Sequence, residues 1–154
     1  MSKKRIHQTY TVTETASDMI QRVSRLMRHQ ASAHFRRQGI DVSPEQWRLL
    51  LQLAEHQPQS QGQLADPVLN DYPNITRLID GLERRGLVAR ESDPRDRRSV
   101  LVSLTEAGKS LLDQWLPDVI EEKAKCFDGL TERDVAALRR ILATMENNIL
   151  KEYT

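Results

Sequence analysis

The apolar residues between Leu69 and Leu104 change period once, and the change falls on a glycine. Before Gly86, residues Ile75, Leu78, Ile79 and Leu82 recur at +3, +4 and +7, a single stripe of helical period. After it, Leu87 to Glu91 and Ser99 to Leu104 alternate, with Val88 and Arg90 set against Val100, Val102 and Leu104. A helix that stops on glycine and runs straight on into a hairpin leaves few architectures open. It constrains the chain more than any short motif could.

The helix carries signals at both ends. Asp71 is a good N-cap, and Pro73 suits the first turn, where its missing N–H costs little. Arg84 and Arg85 suit the negative C-terminal end that Gly86 closes. Opposite the stripe lie Asn74, Thr76, Arg77 and Asp80. Asn and Arg are the side chains with bidentate reach to adenine and guanine edges in the major groove. An ordinary solvated amphipathic helix would carry the same stripe, so the helix alone decides little. The segment Ser92-Asp93-Pro94-Arg95-Asp96-Arg97-Arg98 joins the two strands, with Asp-Pro as turn chemistry. Arg95, Arg97 and Arg98 around Asp96 are hard to hold together without an anionic partner, and guanidinium is the group that enters a narrow minor groove most readily. A merely soluble loop is the bland alternative. Helix, strand, arginine turn and strand in this order predict a winged helix, with its charge where such a domain touches DNA.

The remaining helices follow from stripes and caps. Met19, Ile20, Val23, Leu26, Met27 and Ala31 predict a helix from about Thr15 to Arg37, closed by Gly39. Ser43-Pro44-Glu45-Gln46 has capping-box form and leads into Trp47, Leu50, Leu51 and Ala54, ending near Gln57-Pro58. Ser60 to Leu69 reads as the first helix of a helix-turn-helix, with Leu64, Ala65 and Val68 inward, although Asp66-Pro67 should bend or shorten it. Thr105 caps a helix to about Lys125, with a kink expected at Pro117. Thr131 and Asp134 open a last one bearing Leu138, Ile141, Leu142, Met145 and Ile149. The fold class is therefore mainly α with a small β-hairpin wing. It is a winged helix-turn-helix domain at about 41–104 plus dimerisation helices at about 14–38 and 105–150, all within one domain of 154 residues. The first and the last two helices are surplus to a winged helix, yet each has a full apolar face. Interleaving with a second subunit covers those faces better than packing within a monomer.

Net charge is only +1, but it is unevenly spread: residues 1–37 hold eight Lys/Arg against two Asp/Glu, and residues 105–154 hold seven against ten. The local field at the arginine turn, not the total, governs contact with DNA. No apolar run is long enough for a membrane span and no secretory h-region is present. One cysteine fits the cytoplasm, the expected location, and excludes an internal disulfide framework. No catalytic triad, metal cluster or phosphate-cradling loop is present, so neither an enzyme nor a cofactor is expected. His29 and His34 are five apart and share no helix face. Cys126, set among Glu121, Glu122, Lys123, Lys125 and Asp128, reads as a buried or incidental thiol before an oxidation sensor.

The run Gly86 to Leu112, GLVARESDPRDRRSVLVSLTEAGKSLL, resembles the wing and following helix of the MarR family of bacterial transcription regulators. The shared pattern is Leu82 to Val88, then Asp93 to Arg98, then Leu104 to Gly108, with spacing intact. The resemblance implies a homodimer on pseudo-palindromic double-stranded operator DNA, often released when a small-molecule effector or an oxidant arrives; a repressor is expected, because it can act by occluding promoter DNA. It implies that the Asp96 carboxylate orients Arg98 and that Arg95 and Arg97 reach the minor groove or its phosphates. Asn74, Thr76 and Arg77 would face base edges and backbone, and His34, Trp47 and Trp115 would border an effector cleft. The chain departs from the family at Asp66-Pro67, at Tyr72-Pro73-Asn74 and at Gly81, which weakens its helix by about 1 kcal/mol relative to alanine. These departures leave the base preference open. The alternative function is a winged-helix module whose arginines bind an acidic protein partner.

Overall fold

A computed structural model describes residues 3–66, 68–69 and 71–153, with side chains at residue 11 and from residue 14 onward. Contacts gather the chain into two units, Met1–Asp41 and Val42–Thr154. The first is essentially one helix, α1 (Lys3–Gln38), which begins well before the expected Thr15. Met19, Ile20, Val23 and Leu26 along it are 39–61% exposed, whereas His34 and Phe35 near its end are buried.

The second unit opens with α2 (Pro44–Glu55). Ser43 Oγ accepts from the Gln46 N–H at 3.1 Å, and Gln46 Oε1 accepts from the Ser43 N–H at 3.0 Å, completing the expected capping box. The inward face of α2 is Trp47, Leu49, Leu50 and Leu53. The inward face differs from the expected stripe: Leu51 is only half-buried and Ala54 is exposed, because Leu49, Leu50, Leu51, Leu53 and Ala54, interrupted only by Gln52, admit more than one face. The buried Gln59 side chain closes the far end, its Nε2 donating to the carbonyls of Gln52 (3.2 Å) and His56 (2.5 Å).

A two-residue strand, β1 (Gln59–Ser60), comes next, followed by a single helical turn, α3 (Gln61–Leu64), with its own Ser60–Gln63 capping box. The helix expected to reach Leu69 therefore stops five residues short. Ala65 is extended, and the Asp66 carboxylate accepts from the N–H groups of Val68 (2.9 Å) and Leu69 (3.2 Å), a local turn that competes with helix. Pro67, the residue expected to cause the shortening, lies outside the described residues. Helix α4 (Tyr72–Arg84) seats Ile75, Ile79 and Leu82 at 0–1% exposure, each contributing roughly 1.5–3 kcal/mol of burial. Asp71 occupies the N-cap position without capping by its side chain. Its carboxylate turns to the Asp66 N–H at 2.6 Å, a donor that the broken α3 leaves across the turn.

At the other end of α4, Leu87 N–H returns to the Leu82 carbonyl (3.0 Å) and Gly86 N–H to the Glu83 carbonyl (2.9 Å), with Gly86 at φ +69°. This Schellman closure hands the chain to β2 (Val88–Asp93) and β3 (Asp96–Leu104). The sheet is antiparallel in the order β1-β3-β2, with Val88 opposite Leu104, Arg90 opposite Val102 and Ser92 opposite Val100. That pairs the residues expected to face each other, and Val88, Val102 and Leu104 are buried. β1 adds a third strand, Gln59 opposite Val102, which two residues are too few to announce by alternation.

Thr105 then knots three elements together. Its Oγ accepts from the Gly108 N–H at 3.1 Å, capping α5 (Glu106–Ala124), and its O–H donates to the Gly86 carbonyl at 2.5 Å. Gly108 is needed there, because a Cβ on it would overlap the Leu87 carbonyl oxygen. The Leu-Thr-x-x-Gly signature thus has a physical reason. Helix α5 continues uninterrupted through Pro117, and a 3-10 turn (Lys125–Phe127) leads to α6 (Glu132–Leu150), capped by Thr131 and Asp134 as expected. Leu138, Ile141, Leu142, Met145 and Ile149 of α6 are 40–57% exposed.

Candidate nucleic-acid interface

Two arginine-bearing surfaces of the second unit carry the candidate site: the outward face of α4 and the tip of the β2–β3 hairpin. On α4, an Arg77 guanidinium nitrogen donates to Asn74 Oδ1 at 2.7 Å, a pair one turn apart that prepositions both side chains. The Asn74 amide is left to donate, and Arg77 is exposed. Thr76, expected on the same reading face, is half-buried. Its hydroxyl donates to the Tyr72 carbonyl (3.1 Å) and accepts from Gln61 Nε2 (3.0 Å), so its proton is committed inside the protein. Thr76 braces α4 against α3, and Gln61, which the periodicity did not single out, is its partner. Tyr72 and Leu69, at the start of α4 and just before it, are 49% and 74% exposed.

Beside this face runs an open cleft of about 510 Å³ lined by Ser43, Glu45 and Gln46 at the start of α2 and by Asn74, Arg77, Gly81 and Arg84 on α4. Gly81 explains itself here. Gln46 reaches across to donate from Nε2 to the Leu78 carbonyl (3.4 Å), and a Cβ at Gly81 would stand 2.7 Å from that nitrogen. The residue that weakens α4 intrinsically is the one that lets α2 approach it. Arg90 of β2 links strand to helix, with its two terminal nitrogens 2.6 Å from Asp80 and 2.6 Å from Glu83. Burial works against its charge, but the hydrogen bonds to Asp80 and Glu83 outweigh that and raise its pKa above the usual arginine range.

The wing tip is tighter than a seven-residue loop. The strands extend to Asp93 and Asp96, leaving Pro94 and Arg95 as the turn. Asp93 organises it. The buried carboxylate accepts from the Arg95 N–H at 2.9 Å and meets Arg95 Nε at 3.4 Å, while the Arg95 side chain stays 85% exposed. The backbone hydrogen bond from Arg95, followed by its side-chain hydrogen bond and charge, holds the Asp93 carboxyl below the ordinary carboxylate range. Asp96, expected to orient Arg98, meets it at the backbone, its carboxylate accepting from the Arg98 N–H at 2.9 Å. Strand alternation sends Arg97 and Arg98 to opposite faces of β3, and both are exposed. The signal for Asp93 was present in its Asp-Pro step, a turn residue rather than a second acid.

Of the residues linked to an effector cleft, His34 and Trp47 are buried and Trp115 is half-buried. Cys126 is exposed, its Sγ 3.0 Å from the Lys123 carbonyl, so of the two expected readings, a buried or an incidental thiol, the buried one does not hold. Among the described residues no three His, Cys, Asp or Glu side chains are grouped to hold a metal ion, and no helix is long and apolar enough to cross a membrane.

Comparison with known proteins agrees with this geometry. The family model described as "MarR family" matches residues 42–100, the segment holding both surfaces. The chain is 34% identical over 150 residues to the HTH-type transcriptional repressor NicR of Pseudomonas putida, covering 94% of this chain and 95% of that protein. Its fold matches a mutant MarR from E. coli complexed with operator DNA at TM-score 0.71 and 25% identity, over 84% of this chain and 91% of that one. It also matches BpsR of Bordetella bronchiseptica, from a study of DNA-binding regulation by 6-hydroxynicotinic acid, at TM-score 0.76 and 23% identity, over 84% and 91%. The chain belongs to the MarR family and is a DNA-binding transcriptional regulator.

Proposed function

We propose that the chain is a homodimeric repressor without catalytic activity that occludes promoter DNA in the cytoplasm. Helix α4 enters the major groove, where the prepositioned Asn74–Arg77 pair reads base edges, and the exposed Arg95, Arg97 and Arg98 engage the minor groove or its phosphates. The observation that carries this reading is the Asn74–Arg77 pair at 2.7 Å beside an arginine-tipped hairpin in the same unit. Leu69 and Tyr72 leave apolar surface exposed at the start of α4, the feature that favours the alternative reading, a protein partner at this face. The open apolar stripe of α6 supports pairing with a second copy, and two symmetric reading heads fit a pseudo-palindromic site.

The test begins by selecting bound fragments from host genomic DNA, which yields an operator. The double variant Arg95→Ala/Arg97→Ala should then bind it more weakly, with the salt slope flattened by about one to two phosphate contacts. Undiminished affinity and an unchanged slope would remove the wing from the interface, and a monomer by light scattering at micromolar concentration would remove the dimer. BpsR is regulated by an aromatic acid, so 6-hydroxynicotinic acid is a rational first effector. Weakened operator binding in its presence, relieved by substitution of His34, Trp47 or Trp115, would assign those side chains to the effector.

A further inference from the structure

Arg90 is a charge at a position where the alternation calls for an apolar residue. It follows Val88 by two along β2 and lies opposite Val102, both of which are buried. Only 19% of its side chain is exposed, and each terminal nitrogen holds a different carboxylate of α4, Asp80 and Glu83, one turn apart on the helix. A planar guanidinium spans two such carboxylates at fixed angles, whereas an ammonium reaches one at a time. The fork therefore fastens the C-terminal half of the reading helix to the strand that leads into the wing.

We propose that Arg90 is a positioning residue for DNA recognition, holding α4 and the hairpin in the relative orientation in which Asn74–Arg77 and Arg95–Arg98 engage one operator together. This rests on the interface proposed above. Two contact surfaces bind cooperatively only when their separation is fixed in advance, since ordering them on binding costs affinity. Non-specific duplex, held through phosphates alone, makes no such demand. Arg90 also neutralises carboxylates on a helix that faces DNA, and this electrostatic role must be separated from the positional one. The triple variant Asp80→Asn/Glu83→Gln/Arg90→Met separates them. It removes the clamp while leaving the surface one negative charge poorer, a change that by charge alone strengthens DNA binding.

Fluorescence anisotropy on the selected operator and on a scrambled duplex of equal length, with melting curves as a control, reads the result. Arg90→Met and the triple variant should each lose operator affinity by about tenfold or more, the scale of one lost base contact. Scrambled duplex should change within about twofold, its phosphate contacts being intact. Arg90→Lys, which keeps the charge and one bridge, should fall between wild type and Arg90→Met. Operator affinity at or above wild type in the triple variant overturns the proposal, and so does an equal loss on both duplexes. If Arg90→Met folds poorly, Arg90→Lys decides: a loss confined to the operator at an unchanged Tm sustains the clamp, and wild-type affinity overturns it. An Arg77→Ala variant that still binds operator fully would instead sink the interface reading itself, whatever Arg90 does.

Discussion

The recognition helix and the wing are built in opposite ways. The wing tip holds itself with contacts two residues long, Asp93 to Arg95 and Asp96 to the Arg98 N–H, and leaves its guanidinium groups outside. Apart from the Asn74–Arg77 pair, the outward face of α4 is set by partners on other elements: Gln61 on Thr76, Gln46 beneath Gly81, and Arg90 on Asp80 and Glu83. A surface built from local contacts tolerates change elsewhere, and it delivers charge without a fixed register. One built from distant contacts delivers register, and it depends on everything that packs behind it. The first is suited to phosphate and groove electrostatics, the second to base edges.

The comparison can be broken most severely from behind the helix. Ile79→Ala should lower stability by about 2–5 kcal/mol, the range for a large-to-small change at a fully buried site, read as a fall in the urea midpoint. Loss of operator binding by a variant that remains folded would place the defect in the seating of α4. Asn74→Ala tests register directly, with an expected loss of about 1–3 kcal/mol of discrimination between operator and its base-substituted versions, and much less on random duplex. Uniform weakening on all duplexes would reassign Asn74 to backbone contact.

Acid sharpens the wing side. Because the folded Asp93 carboxyl lies below its ordinary value of 3.8, its contribution is whole above that pH and is lost as pH falls through the lowered value. Protection of the Arg95 amide from hydrogen exchange should thus hold down to that range and collapse beneath it, and collapse near neutrality would contradict the assignment. The smallest effect is expected at Gly81→Ala. Better helix propensity, worth about 1 kcal/mol, opposes displacement of Gln46, a flexible side chain whose tip can move aside. Stability should shift by under about 1 kcal/mol, while a base-preference profile should move if Gln46 steers α4.

This division also explains what could be read from the sequence. The capping boxes at Ser43 and Thr131, the cap at Thr105 and the closure at Gly86 all depend on residues a few positions apart, and each is legible; the hairpin pairing is legible through its alternation. The shortness of α3 was half-legible, through Asp66-Pro67. The role of Thr76, the diversion of Asp71 to Asp66 and the inward face of α2 were not, because each is decided by a group that arrives from another element. Arg90 lies between these cases. A charge on the apolar side of an alternating strand is a visible anomaly, and acids at positions 80 and 83 are its natural partners, yet only the fold brings them within 2.6 Å.

The Thr105 knot has one more consequence. The chain leaves α4 at Gly86, travels out through the whole wing, and returns at Thr105 to bond the Gly86 and Leu87 carbonyls it left nineteen and eighteen positions earlier. The hairpin is therefore a closed detour whose two ends are stitched to each other and not to its tip. Beyond Arg90, whose fork ties β2 to α4, the tip of such a loop can be lengthened or recharged without moving the helices on either side. Charge at the groove can then be altered while the register of the reading helix is kept.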